Sequence, residues 1–397
     1  MRWQKRPLEA VADFRLGKML DQRKNRGDML PYLANVNVRW GEFDLIDLRE
    51  MRFEQHELDK YRLQHGDIVM CEGGEPGRCA IWKDQVPCMM IQKALHRIRP
   101  HECLDAEFLY YLFLHKGRAG HLAPLFTGAT IKHLPREKLA LVEVETPPLP
   151  YQKRVASVLS AYDDLLENNA RRIKLLEESA RLLYEEWFVR LRFPGHEHTP
   201  IHNDLPKGWQ RVPTPEAIDI NPRTRLSDED EHWWVQMGDL PLNSMVIQSA
   251  IKRSGRTGSK FMNGDTLLAR ITPCLENGKT AFVAFMQPGE VGRGSTEFIV
   301  LRSRTLTPEY VYCLARTYAF RHNAIKSMIG ASGRQRVQES CFEKFLVYVP
   351  PKTLLDAFTD FTRPAFRQIQ TLHMQNQKLQ QARDLLLPRL MNGEIAV

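Results

Sequence analysis

Apolar side chains recur at alternating spacings of four and three through residues 151–193, a stretch with no proline or glycine. Such a heptad pattern predicts one long α-helix with a single apolar seam, and a seam of this kind is stabilised by packing against a partner helix. The seam positions are Val155, Leu159, Tyr162, Leu166, Asn169, Ile173, Leu176, Leu183 and Trp187. The paired prolines Pro147 and Pro148 stand at its entrance.

The end of the chain repeats this pattern after a second proline pair, Pro350 and Pro351. The distal seam positions are Phe358, Ile369, Leu372, Asn376, Leu379, Leu386 and Leu390. We expect the two helices to pair within the chain as an antiparallel coiled coil, and two unrelated surface helices are the alternative. Each seam carries one asparagine, and a polar seam residue can fix register at a cost in stability. Pro364 predicts a kink or a late start of the distal helix.

The segments before the two helices resemble each other in order and spacing. Five short patterns recur about 200 positions apart, which indicates an internal duplication. The corresponding segments are 66–70 with 264–268, 76–78 with 277–279, 107–112 with 309–314, 128–130 with 330–332, and 147–148 with 350–351. Each half mixes short strand-like runs, glycine turns and short helices, so the fold class is α/β (α+β), with two similar globules and a pseudo-twofold internal repeat.

The resulting domain plan has four parts: a first globule at 1–148, a central helix at 149–193, a second globule at 194–349 that begins with a linker at 194–210, and a distal helix with a tail at 350–397. A helix of this length spans about 60 Å. Two globules related by a pseudo-twofold axis suit a DNA duplex, on which half-sites lie about 34 Å or a small multiple apart.

Composition supports a nucleic-acid partner only weakly. The 397 residues carry a net charge of +8, and 43% of them are hydrophobic. No signal peptide and no apolar run of membrane-spanning length is visible, so we expect a cytoplasmic protein without a membrane partner. The seven cysteines are scattered and never spaced C-x-x-C, which argues against a disulfide framework and a zinc site.

Catalytic signatures are absent from the sequence, and we expect neither catalytic residues nor a metal site. The segment 273–280 approaches a phosphate loop, but Pro273 replaces the first glycine. Ile220-Asn221-Pro222-Arg223 lacks the second proline and the aromatic residue of adenine methyltransferases. His196, His198 and His202 could hold a metal by spacing, although a polar linker explains them better.

Candidate DNA contacts are basic or amide side chains that we place on loops of the globules or beside strand-like runs. They are Arg39, Arg78, Lys132 and His133 in the first half, and Gln236, Lys252, Arg253, Arg256, Lys260, Lys279, Arg334, Gln335 and Arg336 in the second. Lysine and arginine neutralise phosphates, and arginine and glutamine can read guanine and adenine edges. Alternatives remain open: 251–260 could be a solubilising loop, and Arg78 and Lys279 could stabilise turns.

Three segments resemble the specificity (S) subunit of Type I restriction-modification systems. They are PPLPYQKRVASVLSAYDDLLENNARRIKLLEESARLLYEEWFVRLRFPG at 147–195, DLPKGWQ at 204–210 and LLLPRLMNGEIAV at 385–397. The whole chain fits that family's plan of two target-recognition domains and two conserved helices. One departure concerns the first domain, which begins MRWQKRPLEAVADF and lacks the phrase LPKGW that introduces the second.

The resemblance implies a subunit without an active site in a complex of phage defence and DNA methylation. Each domain would read one half of a bipartite double-stranded DNA sequence, and the coiled coil would set the gap and dock two methyltransferase (M) subunits. The resemblance places S-adenosylmethionine in the M subunits, and ATP and Mg in two restriction (R) subunits that can join. No cofactor would be bound by this chain.

A different class of function stays open beside this one. In it the chain is a structural adaptor, whose coiled coil recruits partners and whose globules bind protein instead of DNA. A steep fall of DNA affinity with salt distinguishes the two, because only phosphate binding releases counterions. A self-sufficient enzyme is disfavoured by the missing signatures.

Overall fold

A computed structural model of the chain describes residues 3–19, 21, 25–226, 230–395 and 397. The chain divides into two compact units, one made of residues 1–166 and 378–397 and the other of residues 167–377. Each unit holds one globule and one portion of both long helices, α4 (Leu149–Tyr184) and α8 (Lys352–Met391). No helix in the described ranges is both long enough and apolar enough to cross a membrane.

Within the described residues, the globule of the first unit contains nine strands and three α-helices. The strands are β1 (Gln4–Pro7), β2 (Ala12–Leu16), β3 (Asp28–Leu33), β4 (Arg49–Phe53), β5 (Ile68–Cys71), β6 (Cys79–Ile81), β7 (Met90–Ile91), β8 (Leu95–Pro100) and β9 (Glu143–Thr146), and the helices are α1 (Gln55–Tyr61), α2 (Ala106–Arg118) and α3 (Arg136–Ala140). They form the sheets β1-β9, β2-β8-β5-β6 and β4-β3-β7, in which β3 and β7 pair in parallel and the other neighbouring strands pair antiparallel.

The described part of the second unit's globule contains twelve strands and three α-helices. The strands are β10 (Ile201–His202), β11 (Leu205–Pro206), β12 (Gln210–Pro213), β13 (Ile218–Ile220), β14 (His232–Val235), β15 (Ile251–Arg253), β16 (Ser259–Met262), β17 (Thr266–Ala269), β18 (Thr280–Phe282), β19 (Val291–Gly294), β20 (Phe298–Ser303) and β21 (Leu346–Val349), and the helices are α5 (Thr214–Ala217), α6 (Pro308–Arg316) and α7 (Tyr318–Lys326). The sheets are β10-β11, β12-β21, β13-β20-β17-β18 and β15-β14-β19-β16.

The two globules share one topology. The sheet β2-β8-β5-β6 of the first unit has the same strand order as β13-β20-β17-β18 of the second, and β4-β3-β7 corresponds to β15-β14-β19 with the same parallel pair at one side. One local difference is that the second unit adds strand β16, where the first has helix α1. The mixed α/β class and the internal repeat predicted from the sequence are therefore confirmed.

A recurring Gly-Asp turn explains why the central strands begin where they do. Gly66 and Gly264 have φ of 86° and 91°, a left-handed conformation that favours glycine. The aspartate that follows each glycine is 1% exposed and accepts two hydrogen bonds of 2.7 Å from an arginine on the neighbouring strand. These buried pairs are Asp67 with Arg99 in β8 and Asp265 with Arg302 in β20.

The long helices pair in antiparallel order within each unit. In the first unit, Val155 and Leu159 of α4 share a core with Leu387 and Leu390 of α8. In the second unit, the ring of Tyr184 lies 6.2 Å from that of Phe358. All sixteen predicted seam side chains are buried or half-buried, and none is exposed.

The two seam asparagines contact each other. Asn169 Nδ2 donates a 2.9 Å hydrogen bond to Asn376 Oδ1, and Asn169 is 7% exposed. Helix α8 runs from Lys352 through Pro364 without interruption, so the late start that Pro364 suggested is not seen. Helix α4 continues into a π-helical turn at Glu185–Val189, which carries the seam residue Trp187.

The first globule lacks the phrase LPKGW that introduces the second, but it begins with a shorter counterpart that contains a tryptophan. Trp3 precedes β1 as Trp209 precedes β12, and both strands then pair with the last strand of their globule. The Trp3 ring lies 5.3 Å from that of Tyr151, and the Trp209 ring lies 6.2 Å from that of Tyr348. The shared signal is W-Q-x-x-P, which is shorter than the phrase that we compared.

Candidate nucleic-acid interface

The sequence suggested that the basic segment at 251–260 is one continuous loop, but the structure divides it between two strands and a short connection. Lys252 and Arg253 lie in β15, an edge strand that pairs with β14, and Lys260 lies in β16. Only residues 254–258, including the exposed Arg256, connect the two strands. Three of the four cations therefore have positions fixed by sheet hydrogen bonds.

Strands β14 and β15 pack two cations on two tryptophans. The Lys252 ammonium lies 5.1 Å from the ring centre of Trp233, which is directly opposite in register. The Arg253 guanidinium lies 3.5 Å from the ring centre of Trp234. Because side chains alternate along a strand, these two pairs lie on opposite faces of the sheet.

Gln236 and Arg253 line the same open depression, whose volume is about 460 Å³. Gln236 is exposed and directly follows β14, and its backbone N–H donates to Asp239 Oδ2 at 2.7 Å. Thr257, Ser295 and Thr296 add hydroxyl groups to the lining, in which no carboxylate of the described residues takes part. The depression thus combines a stacked cation, an amide and several hydroxyls.

The turn at 330–336 holds three candidates in different situations. Arg334 is exposed at its tip. The backbone of Gln335 exchanges two 3.0 Å hydrogen bonds with Thr272. Arg336 pairs with both carboxylate oxygens of Glu297 at 2.6–2.9 Å, and this hydrogen bonding lowers the pKa of Glu297 and raises that of Arg336. Arg336 is therefore already paired with an acid.

The near phosphate loop at 273–280 is held by cations that bind its own backbone. Lys279 Nζ donates to Met237 O at 2.7 Å, so its ammonium fixes the chain after β14. Arg316 and Arg321 donate to the carbonyls of Gly278 and Leu275 at 2.9 and 3.3 Å. These contacts favour the alternative in which Lys279 stabilises a turn.

In the first unit, Arg78 and Lys132 line one depression of about 600 Å³ together with Trp40. Arg78 donates to Asn35 O at 2.9 Å and pairs with Glu75 at 2.8 Å, and its side chain is only 12% exposed. Lys132 is exposed. These contacts show that Arg78 stabilises its own turn. Lys132 is the accessible cation of this depression.

The remaining first-unit candidates lie nearby in the chain but have acidic neighbours. Arg39 lies 3.9 Å from Asp44, and His133 lies 3.2 Å from Glu72. His133 bridges Gly73 and Thr127, just as Arg336 bridges Ile271 and Ile329 in the second unit. The sequence matched 128–134 with 330–336 and so aligned His133 with Gln335, whereas the backbone bridges make His133 equivalent to Arg336, one position further along.

The candidates fall into two groups by availability. Across the part of the chain that the structure describes, six of them have charged groups without a hydrogen bond or ion pair: Lys132, Lys252, Arg253, Arg256, Lys260 and Arg334. Lys252 and Arg253 are stacked on tryptophan rings. Sequence reasoning missed the hydroxyls of Thr257, Ser295 and Thr296 as depression residues, because single hydroxyl residues carry no sequence signal that would mark them. Among the described residues, no three His, Cys, Asp or Glu side chains are grouped to hold a metal.

Comparison with known proteins shows which proteins this chain is similar to. Residues 1–178 match the model of the family described as "Type I restriction modification DNA specificity domain". The Type I restriction enzyme MjaIX specificity subunit of Methanocaldococcus jannaschii is 25% identical over 393 residues, covering 94% of this chain and 88% of that protein. The EcoEI specificity subunit of Escherichia coli is 31% identical over 159 residues, covering 38% of this chain and 26% of that protein.

A solved structure supports the fold over nearly the full length. The crystal structure of the Type I restriction-modification system S subunit from M. genitalium matches with a TM-score of 0.61 at 15% identity, and the match covers 98% of this chain and 96% of that one. The resemblance first drawn from the helical segments is thereby confirmed. Residues 1–178 of this chain therefore match the Type I restriction modification DNA specificity domain, and nearly the whole chain is similar to specificity subunits of Type I restriction-modification systems.

Proposed function

We propose that this chain is the non-catalytic, DNA-reading subunit of a Type I restriction-modification complex, and that each globule reads one half of a bipartite site. The observation that carries the proposal is the duplication: one sheet topology and one buried Asp–Arg pair occur twice, while the cations around them differ. A conserved scaffold with different side chains is what reading two unlike half-sites requires.

The paired helices would set the gap between the half-sites and dock two adenine-methyltransferase subunits. Their outward faces support docking, because large apolar side chains remain exposed there. Leu165, Leu175, Leu182, Met374 and Leu385 are each 48–71% exposed. Exposed apolar side chains on a helix outside its seam mark a surface that a protein partner can cover.

The chemistry of the complex would lie in the partners. In this proposal the methyltransferase subunits bind S-adenosylmethionine and methylate adenine, and restriction subunits bind ATP and Mg. This chain binds double-stranded DNA and no cofactor.

Exchange of one globule tests the proposal. Residues 194–349 are replaced by the corresponding globule of another specificity subunit, and methylated adenines are mapped by long-read sequencing in a host carrying the complete operon. We expect one half of the methylated sequence to change while the other half and the gap stay the same. A simultaneous change of both halves contradicts the proposal.

A salt titration separates DNA reading from the adaptor alternative. The complex with its methyltransferase is titrated with its own duplex from 50 to 200 mM salt. If six to ten phosphates are contacted, affinity is expected to fall by about 10³ to 10⁵. Affinity that is weak and independent of sequence at low salt would favour the adaptor.

A further inference from the structure

We propose that Arg253 is the specificity-determining residue of the second globule and reads the major-groove edge of a guanine, with Trp234 as its platform. This inference rests on the proposed function and assigns a role within it. It starts from the position of Trp234, which is unusual for a large apolar side chain.

Trp234 is 9% exposed but does not belong to the core of its sheet. Within the described residues, the apolar core on one face of this sheet includes Val235, and Trp233 packs against it, but Trp234 does not take part. Alternation along β14 places Trp234 on the opposite face. Its ring is covered there by Arg253 and by the Gly258 backbone, where an added Cβ would lie 3.0 Å from the ring.

The contact immobilises Arg253 without consuming its hydrogen-bonding capacity. A guanidinium stacked on an indole is held by cation–π attraction and keeps its N–H donors in a fixed plane. Across the described ranges no carboxylate pairs with Arg253, in contrast to Arg336, which both oxygens of Glu297 engage. The guanidinium of Arg253 is therefore held in place, and its N–H donors remain available to two adjacent hydrogen-bond acceptors.

The surroundings select which acceptor pair fits. The depression that Arg253 lines contains an amide and hydroxyls but no carboxylate among the described residues, so an electron-rich edge meets no repulsion. Guanine presents O6 and N7 as two adjacent acceptors in the major groove, and a planar arginine matches them with two parallel hydrogen bonds. Gln236, which lines the same depression, supplies an amide for the neighbouring base.

The test measures base preference with the purified complex of the full chain and its methyltransferase subunits. The wild-type site is first mapped by methylome sequencing, and binding is then compared across duplexes carrying each base at each position of the half-site assigned to the second globule. Arg253→Lys keeps the positive charge but removes the planar guanidinium that can donate two parallel hydrogen bonds. We expect preference for G to fall about 10- to 100-fold at one position, with the other half-site unchanged.

Arg304→Lys is the matched control, because Arg304 is also an exposed arginine of the second globule but is bound to Asp219 and to the Pro215 carbonyl and is not a candidate DNA contact. It should leave the preference at every position unchanged. If Arg253→Lys weakens all duplexes equally, or changes nothing, the assignment is overturned. Should that variant not assemble, Gln236→Ala decides in its place: loss of preference at a position of the same half-site supports the shared reading depression, and unchanged preference refutes it.

Failure of this inference leaves the proposed function testable on its own. A globule exchange that still changes one half-site, combined with an unaltered preference in Arg253→Lys, places base reading elsewhere in the second globule. An exchange that changes neither half-site contradicts the proposed function itself.

Discussion

At the scale of single residues, the carboxylates of Asp67 and Asp265 each form a buried ion pair that stabilises its globule. Each is 1% exposed and receives a bidentate arginine, so the pair satisfies a charge that would otherwise be buried alone. Removing one partner of such a pair leaves the other without compensation. These two aspartates are therefore more important for stability than the exposed ion pairs around them.

We predict that Asp265→Asn lowers the free energy of unfolding of the second unit by about 3 kcal/mol. Asp219→Asn is the control, because Asp219 forms a 3.5 Å pair with Arg304 and is 39% exposed, and exposed pairs contribute at most about 1 kcal/mol. Differential scanning calorimetry measures both. Equal shifts of the two transitions would show that burial does not strengthen the Asp265 pair.

His96 makes the first unit sensitive to acid. It is 0% exposed and hydrogen-bonds Leu134 O at 2.8 Å, and burial lowers its pKa below the ordinary 6.5. The unfolded chain therefore takes up a proton at a higher pH than the folded chain does. It follows that stability is lost as pH falls below about 6.5, by at most about 1.4 kcal/mol per pH unit.

We predict that His96→Gln flattens the pH dependence of unfolding between pH 7 and 5. The free energy of unfolding is measured with urea at several pH values, and the slope of the variant is compared with that of the wild type. The exposed His65→Gln is the control. An unchanged slope in His96→Gln would assign the acid sensitivity to other groups.

Residue partners of this kind could not be predicted from the sequence. The sequence indicated that 128–134 and 330–336 are equivalent, and the bridges of His133 and Arg336 agree with this to within one position. It could not indicate that Glu297 pairs with Arg336, because 39 positions separate them and only the sheet brings them together. The same holds for Trp234 under Arg253, since a tryptophan in a strand usually fills a core.

At the scale of elements, the periodic sequence patterns predicted the long helices, but no sequence pattern predicted how the strands pair into sheets. The heptad spacing predicted both long helices and which side chains face inward, because an antiparallel pair imposes one rule on every turn. The strand order β2-β8-β5-β6 depends on pairings between distant segments, for which short apolar runs carry no partner information. The duplication predicted that both globules would share a topology, but not which one.

The Asn169–Asn376 pair gives a prediction for the helices. Asn376→Leu removes the acceptor of the buried Asn169 amide, and we expect it to lower the free energy of unfolding by about 1–3 kcal/mol. Combining it with Asn169→Leu should recover this loss, since an all-apolar seam leaves no amide to satisfy. The exposed Asn168→Leu is the control, and a double-variant cycle by urea unfolding measures the coupling.

At the scale of the whole molecule, the duplicated frame tolerates different side chains at corresponding positions of the two globules. His96 in β8 pairs with Met70, and at the corresponding place in β20 Ile299 pairs with Leu268. Such differences are tolerated because each globule has its own core. Under the proposed function, each half-site could therefore change independently, on the condition that the helices hold the two globules at a set distance.

That condition leads to a prediction about the gap. Inserting one heptad into α4 and one into α8 at facing positions of the seam keeps the apolar pattern in phase and lengthens the pair by about 10 Å. Because one base pair rises about 3.4 Å, the methylated half-sites should move apart by about three base pairs with their sequences unchanged. Inserting the heptad into α4 alone shifts one seam against the other and should abolish methylation. Long-read methylome sequencing reports both results, and an unchanged gap after the double insertion would show that the helices do not measure the distance.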